Sequence, residues 1–308
     1  MKVVYGVEHL KGAFPCFVAT VGNFDGVHFG HRRILDSVKE AAGRIGCASL
    51  LITFNPHPAS VLYPARNLSL LTRPEKKLEL LQALGLDAVL VIDFSLRFAQ
   101  QAPRDFVTDI LLPLQIRELY IGHDFAFGSG RSGNAEFLMK EGEKFGFGVF
   151  EIGQVTMEGD RVGSSRIRAM IEQGDVEQAA RLLGRHHSVA GTVATGAGRG
   201  VRMGFPTCNL DDVEETIPAP GVYVTRTLVS GVRYGSVTHI GAVPTFNVES
   251  LSIESHIFDF NRDIHGETVE VFFIKKLRDT VKYDSADSLV RQIRLDCQAA
   301  RETLEQIQ

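Results

Sequence analysis

Gly22-Asn23-Phe24-Asp25-Gly26-Val27-His28-Phe29-Gly30-His31 follows the apolar run Phe17–Val21 and precedes Ile34, Leu35 and Val38, which share one helical face. The order is strand, glycine-rich turn, helix. Backbone N–H groups at such a junction, with the positive end of a helix behind them, form a phosphate site. Gly22, Gly26 and Gly30 let backbone approach a nucleotide with no Cβ in the way. His28 and His31, three residues apart, can face one bound phosphate chain and donate hydrogen bonds to oxygens that gain charge during transfer. Taken alone, H-x-x-H also fits two surface histidines or two metal ligands.

Outward from this stretch the pattern repeats. Ser49–Phe54, Ala88–Ile92 and Glu118–Ile121 are apolar enough for buried strands. Between the first two, Thr72-Arg73-Pro74-Glu75 starts a helix with a capping box, and Gly85 ends it after Leu78, Leu81 and Leu84. Alternation of this kind predicts a parallel sheet covered by helices. Two short helices follow, one capped by Ser165 and running through Ile171, the next capped by Asp175 and ending at Gly184.

After Arg185 the texture changes. Ser188–Thr195, Val222–Val229, Ser236–Ile240, Leu251–Phe260 and Thr268–Lys275 read as strands joined by Gly- and Pro-containing turns. They predict an antiparallel β-barrel. From Ser285, Leu289, Ile293, Cys297, Ala300, Leu304 and Ile307 recur at helical spacing, so a C-terminal helix is expected to pack on the barrel. The predicted domains are therefore 1–185 and 186–308.

The bulk composition agrees with two soluble domains: 308 residues, 44% hydrophobic and 23% charged. A net charge of −4 gives no global pull toward nucleic acid or membrane, and neither is expected as a partner. Four cysteines without a C-x-x-C pair predict reduced thiols rather than a disulfide or zinc framework. MKVVYGVEHLKG is charged too early for a signal peptide, so a cytoplasmic location is expected.

The ten residues Gly22–His31 resemble the H-x-G-H nucleotidylyltransferases. The fuller G-N-F-D-G-V-H resembles the bacterial bifunctional riboflavin kinase/FAD synthetase family. That resemblance implies a Rossmann-like α/β domain which transfers AMP from ATP to FMN. It implies nucleotide contacts by Gly22, Asn23, Phe24, Asp25, Gly26 and Gly30, and catalytic roles for His28 and His31. Thr53-Phe54-Asn55-Pro56-His57-Pro58 and Gly122-His123-Asp124-Phe125-Ala126-Phe127-Gly128, with Arg131-Ser132-Gly133 beyond, also match family stretches. They imply flavin contacts by Asn55, His57, Asp124 and Arg131, although Asp124 also fits a plain turn cap. Arg161-Val162-Gly163-Ser164-Ser165-Arg166-Ile167-Arg168 resembles the family's second signature. There Arg161, Ser164 and Ser165 would bind phosphate and Arg168 would act in catalysis. Simple helix capping by the serines and a solvated Arg168 fit the same residues.

In the β module, Gly196-Ala197-Gly198-Arg199-Gly200 and Gly204-Phe205-Pro206-Thr207-Cys208-Asn209 resemble the riboflavin kinase loop and its P-T-A-N motif. By resemblance Gly196, Gly198, Gly200 and Arg202 hold ATP phosphates. Thr207 and Asn209 offer Mg²⁺ the hard oxygens that this ion takes together with water and substrate phosphate. Ile253-Glu254-Ser255-His256-Ile257-Phe258 resembles the strand that carries the general base. Glu254 would take the proton from the 5′-hydroxyl of riboflavin, and it also fits an ordinary outward strand carboxylate. Pro244-Thr245-Phe246 and Leu277-Arg278 match too, so the resemblance runs from about residue 15 to 301. Thr195, Val201, Cys208, Val243 and His265 depart from the family pattern. Loss of the loop arginine at 201 removes a phosphate contact of ~1.5–3 kcal/mol, which Arg202 or Arg199 would replace. The resemblance implies riboflavin, FMN, FAD and ATP as ligands. The alternatives are a monofunctional FAD synthetase with an impaired kinase module, a non-catalytic flavin sensor, and a nucleotidylyltransferase for another substrate. The oligomeric state is not legible.

Overall fold

A computed structural model of the chain describes residues 1–157, 159–195, 200, 203–245 and 248–307. Gly196, Gly198, Arg199, Val201, Arg202 and Phe246, all read above, lie outside the described residues. The chain forms two compact units, one made of 1–68 with 74–163 and the other of 69–73 with 164–308.

The first unit is built on six strands: β1 Lys2–Tyr5, β2 Phe17–Val21, β3 Ala48–Asn55, β4 Ala88–Asp93, β5 Ile116–Gly122 and β6 Gly148–Ile152. Their order is β1-β4-β3-β2-β5-β6, and every pairing is parallel. All five residues of β2 are buried, as the central strand of a sheet covered on both faces requires. Phe17, Ala19 and Val21 enter one apolar layer with Leu50, Ile52 and Leu119, while Val18 faces Val38, Ala41 and Ala42. The last three lie on α1 (Phe29–Ile45). An edge strand at the N-terminus was not foreseen: β1 is short, carries a lysine and has two of its four residues exposed. Smaller helices α2 (Pro58–Leu62), α3 (Pro74–Ala83), α4 (Leu96–Ala99), α5 (Pro103–Phe106) and α6 (Ala135–Phe145) complete the layers. A two-strand ribbon, β7 (Thr156–Met157) and β8 (Asp160–Arg161), ends the unit.

One expectation is corrected here. Cys16 and Cys47 form a disulfide with Cα atoms 5.0 Å apart, so these two thiols are not reduced. Their separation of 31 residues hides the contact. Parallel register pairs Phe17 with Ala48, which sets the preceding residues side by side. Cys208 and Cys297 are free, and burial pushes both thiols up to about 11.

The second unit starts with α7 (Ser164–Glu172) and α8 (Val176–Leu183), the latter capped by the Asp175 side chain and closed by left-handed Gly184. Ser165 does not precede α7 as a cap, because the helix already includes Ser164. A closed barrel follows in the order β10-β13-β12-β11-β14-β9. Its strands are β9 His187–Ala194, β10 Cys208–Asp211, β11 Gly221–Val229, β12 Val232–Thr245, β13 Val248–Ile257 and β14 Thr268–Arg278. Alternate residues fill the interior, among them Val189, Leu210, Tyr223, Ile240, Ile253 and Phe273. Thr225, Thr227, Ser236, Thr238 and Ser255 are also fully buried there and satisfy one another at 2.8–3.1 Å. The C-terminal helix α9 (Ala286–Glu305) begins at a Ser285 cap and lays Ala300 and Leu304 over Val222, Val224, Val237, Phe258 and Ile274. Gly235 allows this approach, since a Cβ there would lie 2.9 Å from Leu304. Ile307, expected on the packed face, remains 45% exposed.

Residues 69–73 act as a strap on this unit. Leu70 pairs with Glu215, Arg73 makes a two-pronged ion pair to the buried Glu215 carboxylate, and its guanidinium also donates to the Ala190 carbonyl. His187, fully enclosed, binds the Thr216 carbonyl through Nε2, which must therefore donate; burial holds the imidazole down to about 4.

Candidate active sites

In the first unit, β2 has β3 on one side and β5 on the other, so connections run in opposite directions from it. Ligands bind beyond the carboxyl ends of the strands at such a switch point. The loops after β2, β3 and β5 all leave this edge, and they carry Gly22–His28, Asn55–His57 and His123–Arg131.

The loop after β2 is tightly specified. Phe24, Gly26 and Val27 all have positive φ, at 52°, 88° and 41°, and strain of this kind at non-glycine residues concentrates at ligand sites. His28 is the cap of α1, with its Nδ1 accepting from the His31 amide at 3.2 Å. An accepting Nδ1 leaves the neutral ring protonated on Nε2, the form that can donate to a phosphate oxygen. The His28 and His31 rings stack with centroids 3.6 Å apart, and Phe24 lies 4.6 Å beyond His31. Gly30 makes room for this stack, because a Cβ there would stand 3.2 Å from the His28 ring.

Lys77 was missed. Its ammonium donates to the Asn23 carbonyl and to Thr53 Oγ1, and it lies near the buried Asp25. Burial pulls it down to about 8 against the raising effect of Asp25. The signal was present, since Lys77 stands four residues before the core residue Leu81, on the buried face of α3. Because the folded protein releases this proton near pH 8 and the unfolded chain near 10.5, the folded state binds fewer protons in that window. Stability is therefore expected to rise with pH between 8 and 10.5, by an order of ~2 kcal/mol. Urea midpoints at pH 8 and 9.5 should show a gain in the parent that Lys77→Met lacks. An equal gain in both would show that Lys77 stays charged.

Of the flavin-binding expectations, Asn55, Asp124 and Arg131 are exposed on the edge loops. His57 caps α2 by accepting the Ala59 amide at Nδ1, 3.1 Å away. Aromatic rings missed in the sequence surround the same edge: Phe54 with Phe94 and Phe98, and Phe125 with Phe127 and Phe106. Arg161 is exposed on β8 in the first unit. Ser164, Ser165 and Arg168 occupy the first turns of α7 in the second unit, where Arg168 Nε donates to the Ser69 carbonyl at 2.9 Å.

In the barrel, the interior takes Cys208 and Ser255, so their neighbours face out. Asn209 pairs across to Glu254, and Glu254 pairs across to His239, making one outward row on three strands. His239 was missed. Burial, opposed by Glu254 and supported by Arg278, holds its imidazole below the ordinary value. Gly241 gives the ring space, as a Cβ there would come within 2.7 Å of it. Arg278 is fixed by the Asp296 carboxylate of α9, at 2.7 Å, so the helix anchors the charge beside His239. His256 Nδ1 donates to the Pro206 carbonyl at 2.7 Å and steadies the strand entry before Thr207. Gly200 lies so close that a Cβ would meet the Phe205 carbonyl at 2.3 Å and Thr207 Oγ1 at 3.1 Å. The Thr207 hydroxyl and Asn209 amide are hard oxygen donors on the face of Glu254, which fits Mg²⁺ completed by water and phosphate. Among the described residues no cluster of three or more His, Cys, Asp or Glu forms a metal cage.

Two departures from the family pattern prove to be partners. Thr195 Oγ1 and His265 Nε2 are 2.6 Å apart, so the threonine before the glycine loop hydrogen-bonds the histidine of the β13–β14 turn.

The comparisons agree along the chain. Residues 13–166 match the FAD synthetase family model and residues 183–304 the riboflavin kinase model. The bifunctional riboflavin kinase/FMN adenylyltransferase of Listeria monocytogenes is 35% identical over 290 residues, covering 92% of this chain and 91% of its own. That of Escherichia coli K12 is 33% identical over 306 residues, covering 98% and 97%. A solved structure named as a macrolide-efflux protein from Streptococcus pneumoniae superposes with a TM-score of 0.88 at 31% identity, covering 98% of this chain and 99% of that one. Among the described residues no helix is long and apolar enough to cross a membrane.

Proposed function

Because the chain belongs to the bifunctional riboflavin kinase/FMN adenylyltransferase family, we propose that its two sets of site residues divide the synthesis of FAD between them. The chain phosphorylates riboflavin to FMN with ATP, then transfers AMP from a second ATP to FMN, giving FAD and pyrophosphate. We assign the transfer to residues 1–185 and the phosphorylation to 186–308, with ATP as co-substrate of both.

In the kinase reaction Glu254 takes the proton of the riboflavin 5′-hydroxyl as its oxygen bonds to the γ-phosphorus. The bond from that phosphorus to the β-phosphate oxygen breaks and ADP leaves. Thr207 and Asn209 would hold Mg²⁺, which neutralises phosphate charge when bound. His239 stands across from Glu254 in the row, with Arg278 acting on the same imidazole. Gly196, Gly198, Gly200 and Arg202 are assigned to the ATP phosphates.

In the transfer reaction an FMN phosphate oxygen attacks the α-phosphorus of ATP, and the bond to the bridging oxygen of pyrophosphate breaks. His28 donates from Nε2, and His31 stacked on it donates to the same charge. The Gly22–Gly26 loop, held by Lys77, cradles the nucleotide. Arg161, Ser164 and Ser165 bind phosphate, and Arg168 offsets developing charge. Asn55, His57, Asp124 and Arg131, with the aromatic rings at the edge, are assigned to FMN. The reading includes a cytoplasmic location.

The observation that carries two activities rather than one is the outward pair Asn209–Glu254, since the departures from the family pattern concentrate in the barrel and leave Thr207, Asn209 and Glu254 in place. Incubation with riboflavin, ATP and Mg²⁺ followed by chromatography tests it. FMN and FAD are expected; FAD formed only from supplied FMN would mean an inactive kinase module, and neither product would leave a sensor.

The strap makes a further prediction. A fragment of residues 164–308 leaves the buried Glu215 without Arg73, and breaking such a pair costs ~3–5 kcal/mol. A synthetic peptide of residues 66–76 should raise the melting temperature of the fragment by several degrees. No shift on adding the peptide would make the strap dispensable.

A further inference from the structure

Thr225 and Thr227 of β11, Ser236 and Thr238 of β12 and Ser255 of β13 are wholly buried inside the barrel. Their hydroxyl oxygens form a closed circuit. Thr225 lies 2.8 Å from Ser236, and Ser236 lies 2.8 Å from Thr227. Thr227 lies 3.1 Å from Ser255, Ser255 lies 3.0 Å from Thr238, and Thr238 returns to Thr225 at 2.8 Å. A hydroxyl has one proton to give. Thr238 donates to Ser255, so the circuit is completed with Ser255 donating to Thr227, Thr227 to Ser236, Ser236 to Thr225 and Thr225 to Thr238. Every proton is used and every oxygen accepts once.

Apolar side chains of like volume would fill the same space about as stably, because a buried hydrogen bond adds little once both partners have left water. What the hydroxyls add is direction. Each ring member must keep distance and angle to two neighbours, both on other strands, and a fully satisfied buried network of this kind makes a core rigid and unique. The ring therefore admits one register of β11, β12 and β13, and a slip by one residue would turn Glu254 inward. Removing any one member leaves a buried donor without its acceptor.

Register inside the barrel sets aim outside it. Thr238 and Ser255 stand opposite each other, and the next rung of the same ladder is His239 with Glu254. Successive side chains point to opposite faces of a strand, so fixing one residue inside directs its neighbour outside. Ser255 is held twice, by the ring and by Cys208 Sγ, which donates to its carbonyl at 3.4 Å. Cys208 stands between Thr207 and Asn209, and Asn209 pairs across to Glu254. We propose, on the reading that Glu254 is the base, that the hydroxyl ring is a positioning device for the phosphorylation of riboflavin. Thr238 and Ser255 are its positioning residues: they touch no substrate and act by holding the Glu254 carboxylate at the attacking hydroxyl.

The test is steady-state formation of FMN by the full chain and by T238V, T238S, E254Q and T238V/E254Q. Valine keeps the shape of threonine without the hydroxyl, and serine keeps the hydroxyl without the methyl. Misplacing a reacting group by ~1 Å costs on the order of 10²-fold in rate, so the partial shift on opening the ring is expected to cost about tenfold. Thr238→Val should lower kcat by that factor and change KM for riboflavin less than about twofold, and Thr238→Ser should restore kcat. In the E254Q background the same Thr238→Val change should have no further effect, since the ring acts through a base no longer present. FAD formation from supplied FMN should be parental throughout. Parental kcat in folded T238V, no recovery in T238S, or an equal loss in both backgrounds overturns the ring as a positioning device. Parental kcat in E254Q overturns the base itself, and the positioning role falls with it. Should T238V lose its fold by circular dichroism, S255A and S255A/E254Q take its place, because Ser255→Ala removes one oxygen from the ring. The same loss is then expected only where Glu254 is present, and unchanged kcat in S255A overturns the device.

Discussion

Glu254→Gln lowers turnover of riboflavin to FMN by ~10²–10⁴-fold, while FAD synthesis from supplied FMN continues at the parental rate. Glutamine keeps the size and one acceptor oxygen but takes no proton, so the loss falls on the transition state rather than on riboflavin binding. The barrel should tolerate the change, because the side chain faces outward on β13 and the interior at this level is made by Ser255 and Cys208. His239 supplies an internal control. Glu254 raises the proton affinity of that imidazole, so removing the carboxylate should lower its titration midpoint further, as read by NMR. Lowered turnover with a shifted His239 marks a lost base in a folded site. Normal turnover with a shifted His239 would make Glu254 an ordinary strand carboxylate.

The largest effect on the other reaction is expected from His28→Ala with His31→Ala, which should reduce FAD formation by more than ~10³-fold and leave FMN formation intact. Losing one preorganised donor to developing charge costs ~10²–10³-fold, and here both stacked rings go. A complication is structural. His28 also caps α1, and an alanine cap costs ~1 kcal/mol. His28→Asn separates the two roles, since asparagine restores the cap acceptor without an imidazole N–H. FAD formation should stay low in His28→Asn while stability returns. Recovery of FAD formation with the cap would assign His28 to structure alone, and a parallel fall in FMN formation in the folded double variant would contradict two separate sets of residues.

Periodicity and punctuation made the architecture legible. Phe17–Val21 followed by glycines, and the break in texture after Arg185, were enough for a parallel sheet and then an antiparallel barrel. What escaped depends on neighbours distant in sequence. β1, at four residues, is too short to announce itself, and it exists because β4 offers an open edge. The Cys16–Cys47 bridge follows from parallel register, which no spacing within the chain encodes. The same holds at the sites. His28, His31, Asn209 and Glu254 stand in recognisable strings, but Lys77 and His239 become site residues only through folding, one by reaching back from α3 and the other by cross-strand pairing. Thr195 and His265 are 70 residues apart in sequence, and only the fold brings the two departures into contact.

The strap also has a consequence for the order of events on the ribosome. Arg73 is synthesised 142 residues before Glu215, the carboxylate it pairs with. At ~5–20 residues per second, that is a delay of roughly 7–30 seconds. Throughout it, a nascent chain carries 69–73 outside any completed partner, however early the parallel sheet around it forms. Vectorial synthesis therefore imposes a sequence in which the barrel closes last and captures a segment made long before. A gene cut between the halves would leave that segment on the other product, so a single cleavage does not follow the boundary of the two units.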